Sequence, residues 1–474
     1  MSMSELISTD PCTGETVWRG ATADAASVDA AVGRARAAQP MWERTPLEKR
    51  IAILRAYADR VNERAEDVAR LISRETGKPF WETRTEAASV AAKVEISIAA
   101  QAERAGETQR EAGSFSLALR HRPHGVLAVL GPYNFPAHLP NGHIVPALLA
   151  GNTVVFKPSE LAPATAELMG KLWRDAGLPD GVLEIVQGGG ETGKALAGHQ
   201  GTDGLLFTGS STTGRLLARQ FAETPGRILA LEMGGNNPLL AWDIAEGDLD
   251  AAVALIVQSG WLSAGQRCTC ARRLIMQDSL ADALIDRITG TLDRMIVGAP
   301  FDEPQPFMGP VVDNRAANMV QQRVTELLAI GGNPIRPLDR RDAALPFLSP
   351  ALIDMTGIDT APDEEIFGPV VQLWREADFS AAVARANDTR FGLSAAMLGG
   401  SRAQFDNFRS ATRAGVVNWN RPTNGASSAM PFGGIGDSGN LRPSAYYAAD
   451  YCAFPVAGME APALEGALGT GLRA

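Results

Sequence analysis

The sequence predicts an α/β protein in which helices cover a parallel sheet. From residue 152 onward, short apolar segments alternate with longer segments of helical periodicity, and Gly or Pro residues separate them. This succession of strand, helix and strand is typical of a parallel sheet with helices on its faces. Because a chain of 474 residues is too long for one small core, we expect two or three domains.

The segment from residue 24 to residue 106 is predicted to be helical, because apolar residues recur at intervals of three and four. Pro79, in the break Gly77-Lys78-Pro79, is a stop signal for a helix. The predicted helices are Asp24–Ala37, Pro46–Ile72 and Glu82–Arg104. Two strands follow, because Ser114–Arg120 alternates apolar and polar residues and Gly125–Leu130 is a short apolar run.

The strand and helix alternation is clearest between residues 152 and 233. The predicted strands are Thr153–Phe156, Val182–Val186, Gly204–Phe207 and Ile228–Leu231, and the predicted helices are Pro163–Ala176 and Thr212–Ala222. Residues 234–436 continue the alternation of strands and helices less regularly. The tail after Glu460 is rich in Ala, Gly and Leu, and we expect it to be poorly ordered.

Composition argues against several classes of protein. The formal net charge of -10 disfavours nucleic acid or an anionic membrane surface as the main partner. No apolar run reaches about 18 residues, so no membrane span is expected, and Met1–Asp10 lacks the basic and apolar regions of a signal peptide. The 4 cysteines and 5 histidines show neither a disulfide framework nor metal-ligand spacing. We therefore expect no metal site and a reducing, cytoplasmic location.

Cys268 and Glu232 form the first candidate catalytic pair. Each stands among small residues, Glu232 within Leu231–Pro238 and Cys268 within Gln258–Cys270. A sulfur nucleophile and a carboxylate suit a two-stage reaction: sulfur attacks a carbonyl, and a base then activates the water that releases the acyl group. Taken singly, each residue has an ordinary alternative, a buried apolar cysteine or a salt-bridged carboxylate.

Two Gly-rich segments are candidate phosphate loops. Gly188–Ala195 nearly matches a Walker A loop, but Ala195 stands where Ser or Thr is needed to hold magnesium. A Gly-rich connection with Thr192 capping a helix is therefore the favoured interpretation. Phe207–Gly214 also joins a predicted strand to a helix, where free amides attract phosphate, although a helix end capped by Thr212 would need no ligand.

Lys157 and Glu160 directly follow the predicted strand Thr153–Phe156. Open α/β sheets bind ligands at the carboxyl ends of their strands. The Glu160 carboxylate can accept hydrogen bonds from ribose hydroxyls and would repel a 2′-phosphate. This pattern favours NAD over NADP, and an exposed turn is the alternative.

Seven motifs in one order resemble those of the aldehyde dehydrogenase superfamily. They are Gly131-Pro-Tyr-Asn-Phe-Pro136, Lys157-Pro-Ser-Glu160, Phe207-Thr-Gly-Ser210 with Gly214, Leu231-Glu-Met-Gly-Gly235, Gly265-Gln-Arg-Cys268, Glu364-Glu-Ile-Phe-Gly-Pro369 and Pro431-Phe-Gly-Gly434. The resemblance covers roughly residues 5–458. Asn236 departs from many members, which have Lys at that position.

The resemblance implies an aldehyde dehydrogenase-like fold. It has an NAD-binding parallel-sheet domain, an α/β catalytic domain and a β extension that joins subunits of a homo-oligomer. The implied boundaries are 1–104 and 125–233 for the NAD-binding domain, 234–436 for the catalytic domain, 105–124 and 437–460 for the extension, and 461–474 for the tail. The extension would contain a final strand near Tyr451–Val456.

The resemblance also implies roles for single residues. Cys268 would be the nucleophile, Asn134 and the Cys268 backbone N–H would hold the oxyanion, and Glu232 would activate water to hydrolyse the thioester. Cys270 is given no chemistry. The implied cofactor-binding residues are Lys157 and Glu160 for the adenosine ribose, Gly209, Ser210, Ser211, Thr212, Thr213 and Gly214 for the pyrophosphate turn, and Glu365 and Phe367 for the nicotinamide ribose and ring.

Other segments, among them Arg120–Gly125 and Arg442–Cys452, look like the family branch that oxidises N-succinyl-L-glutamate 5-semialdehyde with NAD in arginine breakdown. That substrate carries two carboxylates, which an acidic protein must hold with local cations. Arg267, Arg421 and His138 are the candidates, since arginine pairs well with planar carboxylates.

Two alternatives stay open. The same chemistry could act on another small acidic semialdehyde, such as that of glutamate or succinate. A catalytically silent family member could instead serve as a binding protein, although Asn134, Glu232 and Cys268 are all present.

Overall fold

The structure is a computed structural model that describes residues 5–464, 466 and 469–472. The predicted tail, 461–474, falls partly outside the described residues. Up to residue 233 the elements are β1 (Glu5–Thr9), β2 (Thr16–Ala21), α1 (Ala25–Arg44), α2 (Leu47–Glu63), α3 (Ala65–Thr76), α4 (Phe80–Arg104), β3 (Thr108–Ala112), β4 (Phe115–Pro123), β5 (Val126–Leu130), α5 (His138–Ala150), β6 (Thr153–Lys157), α6 (Pro163–Asp175), β7 (Leu183–Ile185), α7 (Gly190–Ala197), β8 (Gly204–Gly209), α8 (Ser211–Phe221) and β9 (Ile228–Met233).

The second part of the chain repeats the α/β pattern. Its elements are β10 (Asn237–Trp242), α9 (Leu249–Trp261), β11 (Ala271–Gln277), α10 (Asp278–Asp293), α11 (Asn314–Ala329), β12 (Asn333–Arg336), β13 (Ala351–Asp354), β14 (Val370–Glu376), α12 (Phe379–Asn387), β15 (Ser394–Gly399), α13 (Arg402–Ala411), β16 (Val416–Trp419), β17 (Pro431–Phe432), β18 (Ser444–Ala445), α14 (Ala448–Cys452) and β19 (Ala453–Glu460). Short 3-10 turns lie at Glu246–Asp248, Leu262–Gly265 and Gly436–Ser438.

The first sheet has five parallel strands in the order β7-β6-β5-β8-β9. Its central strands are buried along their whole length, as expected for a sheet covered on both faces. Alternate residues face different cores: Leu127 and Val129 pack with α2, α4 and α5, whereas Val126 and Ala128 pack with α1 and α8. The predicted α/β class with a parallel sheet is therefore confirmed.

The second sheet has seven strands in the order β12-β13-β14-β11-β10-β15-β16, and only the β12–β13 pair is antiparallel within it. A third, antiparallel sheet joins β3, β4 and β19 in the order β19-β4-β3. Its strands come from the two segments, 105–124 and 437–460, that the resemblance implies to form an extension. Phe454 and Met459 of β19 are 59% and 69% exposed.

Several sequence-based boundaries need correction. The predicted helix Pro46–Ile72 is two helices, which meet at Arg64. Helix α8 begins at Ser211, and its cap is Ser210, whose hydroxyl accepts a hydrogen bond from Thr213 N, rather than Thr212. Thr192 caps no helix; its hydroxyl donates to the Ala23 carbonyl instead. The last strand begins at Ala453, because Tyr451 lies in α14.

No helix in the described residues is long and apolar enough to cross a membrane.

Candidate active site

A cavity of about 1060 Å³ opens at the carboxyl ends of the first sheet. Strand order reverses between β5 and β8, and in open α/β sheets such a switch point is where ligands bind. Residues at or just after four strand ends line the cavity: Asn134 follows β5, Lys157 ends β6, Gly209 ends β8 and Glu232 lies in β9. Cys268, from the loop before β11, completes the wall. The catalytic residues predicted from the sequence thus share one cavity.

The side chain of Asn237 holds the backbone of the loop that carries Cys268. The side-chain amide of Asn237 donates to the carbonyls of Cys268 at 2.7 Å and Cys270 at 2.9 Å, which fixes the loop that presents the thiol. The loop begins at a tight turn in which Gly265 has a φ of 70°, and a Cβ there would lie 2.0 Å from the Gly368 carbonyl oxygen. Only glycine fits this turn.

Burial favours the protonated form of the Cys268 thiol. Burial raises its pKa well above the usual range, and the negative charges of Glu365 and Glu232 add to this effect. The thiol therefore has to lose its proton during attack, since thiolate is the reactive form.

Asn134 has a buried side-chain amide, of which only one N–H is hydrogen-bonded. Its Nδ2 donates to the Gln266 carbonyl at 2.9 Å, which leaves one amide hydrogen for another acceptor. The Cys268 backbone N–H has no hydrogen-bond acceptor among the described residues. These two donors can receive an oxyanion in the cavity.

Glu232 is buried, with 4% of its surface exposed. Its Oε1 accepts a hydrogen bond from Ser444 N at 3.1 Å, and its Oε2 has no partner among the described residues. Burial raises the pKa of this carboxyl well above its usual value. A carboxyl with a raised pKa and a free oxygen beside a cavity is suited to accept a proton from water.

Glu365 and Phe367 line the same cavity. Burial raises the pKa of Glu365 to about 7, and its Oε1 has no hydrogen-bond partner among the described residues. Phe367 meets the Tyr133 ring edge to face, with ring centroids 6.1 Å apart. A Cβ on Gly234 would lie 1.8 Å from Glu365 Oε2, so only glycine lets this carboxylate occupy its place.

Lys157 and Glu160 lie together at the end of β6. Lys157 Nζ donates to the carbonyls of Pro158 and Gly188 at 2.6 and 2.7 Å, and lies 3.5 Å from a Glu160 carboxylate oxygen. Burial lowers the pKa of Lys157. Glu160 keeps 40% of its side chain exposed, so its carboxylate can accept further hydrogen bonds.

The turn from β8 into α8 places four of its predicted residues at the cavity wall beside Gly209, namely Ser210, Ser211, Thr212 and Thr213. The amides at this helix N-terminus are suited to an anionic ligand. Gly214 does not line the cavity; it packs under the turn, where a Cβ would lie 2.1 Å from Met233 Sδ. Its role is close packing of the helix on the sheet.

The three substrate-binding candidates differ in position. Arg267 lines the cavity, but its guanidinium forms an ion pair with buried Glu82 at 2.9 Å. His138 also lines the cavity, and burial lowers its pKa, so the ring is neutral. Arg421 is exposed and lies outside the cavity wall of this chain. The structure therefore does not bring Arg421 to the site.

Helix α4 contributes side chains that the sequence analysis missed. Glu86 and Lys93 line the cavity, and Glu86 accepts hydrogen bonds from the backbone N–H groups of Ala137 and His138 at 3.1 and 3.2 Å. Lys78, just before the helix, bridges Glu86 at 2.6 Å and the Asn134 carbonyl at 2.7 Å. The signal in the sequence was a polar stripe at helical spacing, Glu82, Glu86, Ser89 and Lys93.

The described residues contain no group of three or more His, Cys, Asp or Glu side chains placed to hold a metal ion. The cavity thus brings together a thiol, two available N–H donors, a buried carboxyl group and a helix N-terminus.

The aldehyde dehydrogenase family model matches residues 2–454. Two relatives are named N-succinylglutamate 5-semialdehyde dehydrogenase. The protein from Novosphingobium aromaticivorans is 55% identical over 474 residues, which cover 100% of both chains. A protein numbered 1 under that name, from Caulobacter vibrioides, is 58% identical over 463 residues and covers 98% of both chains.

Solved structures with the same fold include two cofactor complexes. The NADP-dependent glyceraldehyde-3-phosphate dehydrogenase of Bacillus halodurans, complexed with NADP, has a TM-score of 0.89 and 28% identity, over 97% of this chain and 96% of that one. A putative methylmalonate-semialdehyde dehydrogenase of Sinorhizobium meliloti, complexed with NAD, has a TM-score of 0.91 and 24% identity, over 98% and 96%. The latter likeness concerns the fold alone.

Proposed function

Because the chain belongs to the aldehyde dehydrogenase family, we propose that it oxidises N-succinyl-L-glutamate 5-semialdehyde to N-succinyl-L-glutamate with NAD, as a step of arginine catabolism through the succinyltransferase route. Membership of the family makes the chain an enzyme that oxidises an aldehyde with a nicotinamide cofactor. The choice of substrate is supported by relatives that carry this activity in their name and match the chain from end to end.

The observation that carries the proposal is the meeting of Cys268, Glu232 and Asn134 in one cavity. In the proposed reaction, the Cys268 sulfur adds to the aldehyde carbon, and the thiol proton is released to solvent. The side-chain amide of Asn134 and the Cys268 N–H hold the resulting oxyanion. Loss of one such donor typically lowers the rate by about 10²–10³.

Loss of hydride from the tetrahedral carbon leaves a thioester on Cys268. Glu232 then takes a proton from water, whose oxygen attacks the thioester carbon; the C–S bond breaks, and the proton on Glu232 passes to the leaving sulfur, which restores the thiol and the carboxylate. In balance, one aldehyde, one water and one oxidised cofactor give one carboxylic acid, one reduced cofactor and one proton.

The residues of the cavity fit a nicotinamide dinucleotide. Glu365 Oε1 has no hydrogen-bond partner among the described residues and is suited to a ribose hydroxyl, and the N-terminus of α8 is suited to a pyrophosphate. When bound, the cofactor supplies the acceptor for the hydride. Lys157 and Glu160 would hold the second ribose, and the Glu160 charge is the reason to expect NAD rather than NADP.

We also propose the domain division given above and a homo-oligomer. Residues 1–104 and 125–233 would form the cofactor-binding unit, 234–436 the catalytic unit, and 105–124 with 437–460 the extension. The exposed apolar side chains of β19 support a role of this sheet in subunit contact. A catalytic thiol favours a reducing location such as the cytoplasm.

A panel assay tests the proposal. Purified protein is mixed with NAD or NADP and with N-succinylglutamate, glutamate or succinate semialdehyde, and kcat/KM is measured for each pair. We expect the succinylated substrate with NAD to have the highest value. A higher kcat/KM for the free semialdehydes would show that the substrate is another small acidic aldehyde. NAD binding without turnover of any aldehyde would indicate a silent binding protein.

A further inference from the structure

Lys93 is a buried lysine that the proposed mechanism does not use. It lies on α4 and is 1% exposed, yet it lines the cavity together with Ser89 and Glu86 of the same helix face. Its Nζ donates one hydrogen bond, to the Ala445 carbonyl at 2.7 Å. An ammonium group has three donors, so two remain available.

Lys93 differs from every other lysine or arginine of the cavity wall in having no carboxylate within 4.0 Å among the described residues. The other cations of the wall are each ion-paired: Lys157, Lys194, Arg215, Arg267, Arg323 and Arg390. Burying a charge is costly unless it is paired. A lysine left without a counter-charge at a ligand cavity therefore points to a charge that the ligand supplies.

The groups that face Lys93 do not supply a negative charge. Helix α5 presents His138 and His143; burial lowers the pKa of both rings, to about 3 for His143, so they are neutral. Helix α14 presents Cys452, whose pKa is raised by burial, so it is a thiol. On α4 itself, Glu86 forms an ion pair with Lys78. Burial lowers the pKa of Lys93 to about 8, as expected for an ammonium without a partner.

The position of Lys93 relative to the catalytic groups is fixed by one strand. Ser444 and Ala445 form β18; the Ser444 N–H donates to Glu232, and the Ala445 carbonyl accepts from Lys93. The base and the ammonium are thus attached to neighbouring residues. Lys93, Glu232 and Cys268 all line the same cavity.

We propose that Lys93 binds a carboxylate of the aldehyde substrate and so selects acidic semialdehydes over neutral aldehydes. The substrate class rests on the proposed function, whereas the role of Lys93 concerns any carboxylated aldehyde. Lys93 is a specificity residue and takes no part in bond making. Arg267, one of the three candidates from the sequence, is ion-paired with Glu82 and is less suited to this role.

The test compares two aldehydes that differ only at the terminal group, a carboxylate in one and a methyl group in the other. Succinate semialdehyde and butanal have the same chain length, and only the first carries a carboxylate. For Lys93→Met we expect kcat/KM for succinate semialdehyde to fall roughly 10- to 100-fold, mainly through KM, with butanal changed less than about threefold. Lys93→Arg should restore part of the loss. Lys171→Met, on the exposed face of α6, is the control and should change neither substrate.

An equal loss for both aldehydes would show that Lys93 only tethers Ala445, and would overturn the proposal. If Lys93→Met does not fold, the pH dependence of the wild-type enzyme still tests the proposal. The ratio of kcat/KM for succinate semialdehyde to that for butanal should fall as the pH rises through about 8, because the ammonium loses its proton. A ratio independent of pH between 7 and 10 would refute the assignment.

The proposed substrate and the proposed role of Lys93 can be refuted independently. If the wild-type enzyme prefers free glutamate or succinate semialdehyde to the succinylated one, the proposed function is wrong. The role of Lys93 is then tested only by the kcat/KM values for succinate semialdehyde and butanal.

Discussion

Replacing Glu232 by Gln should separate the two halves of the proposed reaction. The carboxylate is fixed by one hydrogen bond, from Ser444 N to Oε1, and Oε2 faces no partner among the described residues. A glutamine can keep the first contact with its carbonyl oxygen and place its amide where Oε2 was. We therefore expect the variant to fold normally, but to lack a base.

The size of the effect follows from what the base does. A positioned general base typically contributes 10²–10⁴-fold, so the steady-state rate should fall by about that factor. Formation of the thioester precedes the step that needs Glu232, so one equivalent of NADH per active site should still appear rapidly. In the wild type, the steady-state rate should rise with pH, because the base works only when deprotonated, and burial moves this rise above the usual value of 4.5.

Stopped-flow absorbance at high enzyme concentration measures both phases. We expect a burst close to the concentration of active sites, followed by slow turnover. Glu48→Gln, an exposed replacement on α2, controls for the exchange itself and should behave as the wild type. If burst and steady state slow by the same factor, Glu232 acts before the thioester forms, and the division of labour argued here is wrong.

Three further predictions follow from the same geometry. Cys268→Ala should abolish NADH production, whereas Cys270→Ala, at a fully buried position outside the cavity wall, should largely retain it. Affinity for NAD, measured by fluorescence titration, should weaken roughly tenfold from pH 8 to pH 6, because a carboxylate with a pKa of about 7 becomes protonated; Glu365→Gln should bind with no such dependence. Lys78→Met should lower the free energy of unfolding in urea by about 3–5 kcal/mol, since it leaves Glu86 buried without its ion-pair partner; a loss below about 1 kcal/mol would contradict this.

The parts of the fold that were predictable are those set by local pattern. The strands β5, β6, β8 and β9 are short apolar runs between helices, and their positions match the prediction within a few residues. The helix break at Arg64 was not predictable, because no Gly or Pro marks it. The cap of α8 was predicted at Thr212 instead of Ser210 because both are good capping residues and they lie only two positions apart.

The position of a candidate residue was predictable where one motif contains it, since the structure brings Asn134, Glu232 and Cys268 to one cavity. Its role was not predictable where charge depends on distant pairing. Arg267 looked free beside the nucleophile, but its partner Glu82 stands 185 residues away in the sequence. Lys93 lies within the predicted helix Glu82–Arg104, but its burial depends on packing against α5 and α14, which no local pattern shows.

The segment from Ser438 to Ala445 explains why the base and the proposed anion site are so firmly placed. Gly439 forms a β-bridge to Glu232, and Asn440 accepts from Leu231 N and donates to the Leu229 carbonyl. This segment therefore extends the edge of the first sheet at β9, the strand that carries the base. Because the same segment ends in β18, any movement that loosens it would shift Glu232 and the Lys93 contact together. Under the proposed roles, a substitution that loosens this segment should therefore alter both turnover and the preference for charged aldehydes, whereas a change confined to the Lys93 side chain should alter the preference alone.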